Sequence, residues 1–200
     1  VVLAAERGEE ATVLAWLDGG GRVDATFEYT FGCGSRASGM TLLMVAMACG
    51  HAELAEALLR RGADVSLQTN RGDTALILAA SNGREKLVEL ALRHGAEIDQ
   101  LDSNGCAALV GAACCGKERV VDTLIRHGAE IDLQDSTGST ALMSAAFFGH
   151  PAVVRRLLRA GADAARSASG KTALQWAKEE GHAECLRALE EHSSTAAEAE

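Results

Sequence analysis

Four groups of side chains in this 200-residue chain are of types that carry chemistry. Ser169-Gly170-Lys171-Thr172 has the ending of a phosphate-binding loop, in which a glycine-rich turn aims backbone N–H groups at phosphate. Such a loop needs a glycine at position 165, where the chain has Ala165, and no buried strand leads into it, so nucleotide binding is not expected there. His51, His150 and His182 open apolar helical segments, whereas His94 and His127 close them. Imidazoles in neighbouring units ~8 to 10 Å apart cannot share a metal whose bonds are near ~2 Å. Asp99, Asp102, Asp132 and Asp135 fall short of the roughly six to eight oxygens that one calcium loop gathers, and turn or cap roles account for them. Cys114 and Cys115 lack a base in the same register, and packed thiols behave as small apolar groups. No hydrolase, kinase or zinc-protease motif is present. The expectation is a chain without catalytic residues, metal or cofactor.

Composition narrows the partner. A net charge of -9 argues against nucleic acid, whose binding requires a basic footprint, and favours a basic or neutral protein surface. No apolar stretch is long enough to span a bilayer, so membrane insertion is not expected. The six cysteines, Cys33, Cys49, Cys106, Cys114, Cys115 and Cys185, form no C-x-x-C pair. Cys49 and Cys115 occupy one position two units apart, roughly 20 Å by the spacing of packed helices, against the about 4.4 to 6.8 Å that a disulfide needs. Free thiols in a reducing, intracellular compartment follow: cytoplasm or nucleus, or an organelle if a transit peptide has been removed.

The elements that position these residues are set by glycine. Gly39, Gly72, Gly105 and Gly138 recur every 33 residues, and Gly170 follows 32 later. Gly62, Gly95, Gly128 and Gly161 keep the same step, as do Gly50, Gly83, Gly116 and Gly149. A fixed period of this size marks a solenoid, in which each short unit buries its apolar face only against its neighbours. In the third unit Thr74 is placed to cap a short helix that Gly83 closes. A second helix carries apolar pairs, Leu87-Val88 and Ala91-Leu92, and ends at Gly95. The eight or nine polar residues before the next Gly-x-Thr are too few for a helix and make a turn or hairpin.

These motifs resemble the ankyrin repeats. The resemblance rests on Gly-x-Thr-x-Leu at Gly39–Leu43, Gly72–Leu76, Gly138–Leu142 and Gly170–Leu174, on Gly-His at Gly50, Gly149 and Gly181, and on Gly-Ala-Asp or Gly-Ala-Glu at Gly62, Gly95, Gly128 and Gly161. It implies an all-α repeat solenoid, a stack of helix-turn-helix units joined by β-hairpin or turn fingers. Six units are expected, at about 1–35, 36–68, 69–101, 102–134, 135–166 and 167–192 in a single array 1–192, with residues 193–200 a frayed acidic tail. The family's Thr-Pro-Leu-His is degraded to Thr41-Leu42-Leu43-Met44, Thr74-Ala75-Leu76-Ile77, Ala107-Ala108-Leu109-Val110, Thr140-Ala141-Leu142-Met143 and Thr172-Ala173-Leu174-Gln175, which predicts modest stability. Arg60, Arg93, Arg126 and Arg159 mark the last turns of the second helices, where cations complement the helix dipole. Glu190 replaces the apolar Leu158 of the preceding unit, as a capping unit requires. The chain opens at Val1, without methionine and directly in an inner helix, so Val1, Val2 and Leu3 are expected to be partly uncovered and further sequence is expected upstream.

One hairpin is longer than the rest. Gly20 to Gly39 is 19 residues where Gly62 to Gly72 is 10. In this finger, residues 25–36, Phe27, Tyr29 and Phe31 alternate with Thr26, Glu28 and Thr30, a strand pattern with three rings on one face. Either the finger folds back to cover the first unit or it projects to grip a partner.

The resemblance places a partner on the concave face formed by inner helices and hairpin tips. It maps the variable positions to Ser81-Asn82, Cys114-Cys115 and Phe147-Phe148, among others. Phe147 and Phe148 beside Cys114 and Cys115 give an apolar centre of the kind that anchors interfaces, unless one ring tucks under the next unit against Trp176. Glu97, Asp99 and Asp102 on one tip, and Glu130, Asp132 and Asp135 on the next, add an acidic rim, so the expected partner is a protein with basic and hydrophobic residues bound by a monomer. The implied role is a non-enzymatic interaction scaffold or adaptor. A permanent subunit of a large assembly, or the regulatory arm of an enzyme whose catalytic domain lies elsewhere, are the alternatives.

Overall fold

The computed structural model describes residues 1–31, 34 and 36–197. Cys33, one of the expected free thiols, lies outside them, as do residues 198–200 of the expected tail. Twelve helices among the described residues form six antiparallel pairs: α1 (Val2–Glu6) with α2 (Glu10–Asp18), α3 (Leu42–Cys49) with α4 (Ala52–Arg60), α5 (Ala75–Ser81) with α6 (Glu85–Arg93), α7 (Ala108–Cys114) with α8 (Glu118–Arg126), α9 (Ala141–Phe147) with α10 (Pro151–Arg159), and α11 (Ala173–Glu179) with α12 (Ala183–Ala197). Inner helices pack on inner helices and outer on outer, so contacts run only between sequence neighbours, as in any solenoid. Strand β1 (Phe27–Thr30) pairs antiparallel with β2 (Arg36–Met40) in the finger, and β3 (Ser167–Ala168) with β4 (Lys171–Thr172) in the last tip.

The inner helices form because their first turns are capped. Thr41, Thr74, Thr140 and Thr172 accept through Oγ1 from the N–H groups of Met44, Ile77, Met143 and Gln175 at 3.2, 3.1, 3.4 and 3.4 Å. Each such cap contributes about 1 kcal/mol. Ala107 holds the same extended backbone at the start of α7 but has no oxygen to offer, and Gly111 sits inside that helix. The fourth unit is therefore the least favoured locally, losing about 1 kcal/mol at each of the two positions.

Packing compensates. Leu43, Leu76, Leu109 and Leu142 stand one per inner helix, all buried, with Ala46, Ala79, Ala112 and Ala145 letting the helices approach. Burial of each leucine stabilises by about 1.5 to 3 kcal/mol. Each outer helix adds an apolar stripe, such as Leu54, Ala55, Leu58 and Leu59 in α4. The ends differ from one another: Leu3 remains 65% exposed, whereas Glu190 on α12 meets water where earlier units bury a leucine. Residues 193–197, expected in the tail, instead continue α12. Ser193 and Ser194 there bond through Oγ to the carbonyls four residues back, both at 3.0 Å, so the hydroxyls do not compete with the helix.

Units are tied by sets of hydrogen bonds that repeat with the sequence, at the tips and at the helix turns among other places. At the tips, Asn70, Ser103 and Ser136 donate their N–H groups to the carbonyls of Ser38, Arg71 and Asn104 in the preceding unit, each at 2.9 Å. At the helix turns, His51, His150 and His182 donate from Nε2 to the carbonyls of Glu6, Cys114 and Phe147 at 2.7, 3.0 and 2.9 Å. Glycine is required opposite these rings. A Cβ on Gly149, already at φ +74°, would lie 2.7 Å from the His182 ring.

Candidate binding groove

The inner helices present the same face at each step. Ile77, Val110, Met143 and Trp176, 33 residues apart, form an apolar floor. Ser81, Cys114 and Phe147 make one side, and the tips supply the other through Asp102 and Asp135 together with Arg71 and Asp73. These residues enclose a groove of about 620 Å³. Gly111 deepens it, since a Cβ there would come within 2.6 Å of Ser81 Oγ.

Both phenylalanines face the groove. Phe147 is 36% and Phe148 49% exposed, and their rings meet edge-on with centroids 4.9 Å apart. Phe147 also packs edge-on against Trp176 at 5.4 Å, so one ring touches the next unit while both remain accessible. Lys171 lies with Nζ 4.5 Å from the centre of the Trp176 ring and is ion-paired with Glu179. The lysine that resembles a phosphate ligand is thereby engaged, and Ser169 and Gly170 form the β3–β4 turn with φ of 51° and 76°.

The groove's thiols and carboxylates are occupied structurally. Burial pushes the Cys106 thiol up to about 11, with the Asp102 and Asp135 charges and Cys114 adding to it. Burial also raises Cys114, with Cys115 contributing. Protonated thiols are poor nucleophiles. Asp102 accepts from the N–H groups of Asn104 and Cys106, both at 2.8 Å, and Asp135 from those of Thr137 and Ser139 at 2.8 and 2.9 Å. Each carboxylate thus shapes its own turn while leaving the wall acidic.

Other expected site residues lie elsewhere. Asn82 uses Nδ2 to bond the Leu78 carbonyl at 2.8 Å. Asp99 and Asp132, grouped above with the rim, reach into the next unit: their carboxylates accept from the N–H of Glu130 and of Asp163 at 3.1 and 3.2 Å. Glu97 and Glu130 are exposed. Phe27, Tyr29 and Phe31 are half-buried against the first units: Phe27 beside Trp16 at 6.3 Å, and Phe31 beside Tyr29 at 5.1 Å and under the Arg71 guanidinium at 5.6 Å. The Tyr29 hydroxyl is raised by burial and by the neighbouring Cys49 and Glu6, to which it is hydrogen-bonded. The finger covers. Among groove residues, the floor positions Ile77, Val110 and Met143 were passed over in sequence, although their 33-residue spacing marks them.

A family model described as ankyrin repeats (3 copies) matches residues 1–102, 43–135 and 109–198, which together span nearly the whole chain. The chain belongs to the ankyrin repeat family. Ankyrin repeats are protein-protein interaction modules, and their domains are typically non-catalytic. No curated protein matches the sequence. Within this ankyrin stack, no helix among the described residues is long and apolar enough to cross a membrane. Five of the six histidines lie at helix ends fixed by the repeat, and three of them pin inner-helix carbonyls, two of these belonging to the groove residues Cys114 and Phe147.

Proposed function

We propose that this ankyrin stack is a non-catalytic adaptor that holds a protein partner on its concave face, centred on Phe147, Phe148, Cys114 and Cys115. The observation that carries the reading is two adjacent, accessible aromatic rings in an apolar groove, the arrangement in which a few desolvated side chains supply most of an interface's energy. His150 and His182 fix the backbone at Cys114 and Phe147, so the rings are held in place before a partner arrives. Asp102 and Asp135 on the tip side select a segment with basic as well as hydrophobic residues. Ser81 closes the near side, and Glu97 and Glu130 steer the encounter from outside the groove. The protein acts as a monomer, without nucleic acid, metal or cofactor.

The test is affinity purification of the protein, identification of its partner by mass spectrometry, and titration of that partner against the Phe147→Ala/Phe148→Ala double variant. Binding weakened by more than about 2 kcal/mol with the melting temperature retained is the expected result. Stability falling in step with binding makes the rings core and removes the proposed centre.

A further inference from the structure

The concave face is already occupied over its first units by this chain itself. Strand β1 runs onto it from the first unit: Phe27 sits beside Trp16 of the outer helix α2, Tyr29 is bonded to Glu6 of the first inner helix and Cys49 of the second, and Phe31 lies beneath Arg71 of the third unit. Cys49 holds the position in its unit that Cys115 and Phe148 hold in theirs. The exposed Glu28 and Thr30 alternate with the half-buried rings. Arg71 is both the residue over the last ring of the finger and a residue of the open groove, so the track of β1 leads into the groove.

Given partner binding on the concave face, we infer that the open groove takes an extended segment with aromatic or large apolar residues at alternate positions, flanked by lysine or arginine, and not an amphipathic helix. The finger shows what form of chain this surface accepts: an extended strand, there paired with β2, with rings on alternate residues. Four floor positions from Ile77 to Trp176 span roughly 24 to 30 Å at ~8 to 10 Å per unit. An extended chain rises about 3.3 Å per residue, so about eight residues fill that length. The charge is complementary, since Asp73, Asp102 and Asp135 line the groove against the single cation of Arg71, which is itself paired with Asp73 at 3.1 Å. A helix, about 10 to 12 Å across with its side chains, has no such precedent on the surface.

Two labelled octapeptides of identical composition distinguish the cases by fluorescence anisotropy on the full chain. One carries aromatic residues at alternate positions with lysines between them. The other carries the same residues permuted to helical i, i+3, i+4, i+7 spacing. The alternating peptide binding at least about tenfold tighter, and losing at least about tenfold on Phe147→Ala/Phe148→Ala, is the expected result. Equal or tighter binding of the permuted peptide overturns the extended mode, and leaves the concave-face reading intact if the double variant weakens it. Alternating-peptide binding that the double variant does not change removes the groove as the site, and with it the reading above. Binding of neither peptide overturns the extended mode alone, because the concave-face reading stands or falls on the partner titration. Melting of the variant, run alongside, confirms that it is folded.

Discussion

The two ends of the concave face are built on the same rungs and have opposite surfaces. Over the first and second units the rings belong to the finger and are spent on the chain's own stability: Phe27 meets Trp16 and Tyr29 meets Glu6 and Cys49. Over the fifth and sixth units the rings of Phe147, Phe148 and Trp176 belong to the inner helices and their ends and meet each other and Lys171, with Trp176 also packed on the core. An aromatic ring packed on its own chain adds to folding, whereas one left in an open groove is, on the proposed reading, available to a partner. The difference lies in what covers the rung, because the leucine layer beneath, Leu43 to Leu142, runs unbroken from the second unit to the fifth.

That claim is exposed to the largest effect first. Leu43→Ala under the finger and Leu142→Ala under the groove should each cost about 2 to 5 kcal/mol in urea unfolding, because both leucines fill equivalent space between units. An unchanged midpoint for either would mean the layers are not alike. Next, Phe27→Ala/Tyr29→Ala should cost about 2 to 3 kcal/mol of stability, from the half-buried area of two rings. The matched pair Phe147→Ala/Phe148→Ala should cost under about 1 kcal/mol of stability, its loss falling on the partner instead. Calorimetry of both double variants reads the contrast directly, and equal losses would erase it.

Smaller effects sharpen it. Asp132→Ala should lower stability by about 1 kcal/mol, since its carboxylate receives the Asp163 N–H across units. Glu130→Gln should stay within about 0.5 kcal/mol in the same denaturation and only slow association at low salt, as measured by stopped flow. The smallest signal is that of the thiols. Cys106 has its folded value raised above an ordinary 9.0 to about 11, so the unfolded chain loses this proton first as pH rises. Its contribution to stability is fully present below about 9 and lost as pH climbs through about 11. Alkylation of Cys106 should accelerate about tenfold per pH unit up to about 11, followed by peptide mass mapping. A plateau near 9 would show that the groove side is as open to water as a free thiol.

The glycine spacing made the fold legible because each glycine answers to a backbone turn or to a neighbour's side chain, and both recur with the unit. The alternation of Phe27, Tyr29 and Phe31 was legible for the same reason: a strand exposes every second residue. Where that strand lies was not, since its contacts, Trp16, Cys49 and Arg71, come from three different units. His51, His150 and His182 open their own helices in the sequence, yet each bonds the helix of the unit before, a choice set by stacking distance and not by sequence position. Glu97 and Asp99 carry the same charge in the same tip, yet only the shorter side chain accepts the neighbour's N–H. Asp24 does the same to Asp64 over a separation of 40 residues where the later pairs are 31 apart, the excess being the finger.

The uncapped start of α7 has a mechanical meaning. A stack held only by nearest neighbours behaves as a spring, and a spring yields at its softest coil. With Ala107 in place of threonine and Gly111 within the helix, that coil is the fourth, midway along the groove and directly before the rings of the fifth. Bending concentrated there would change the width of the floor between Val110 and Met143, and amide exchange in α7 is expected to be faster than in α5 or α9.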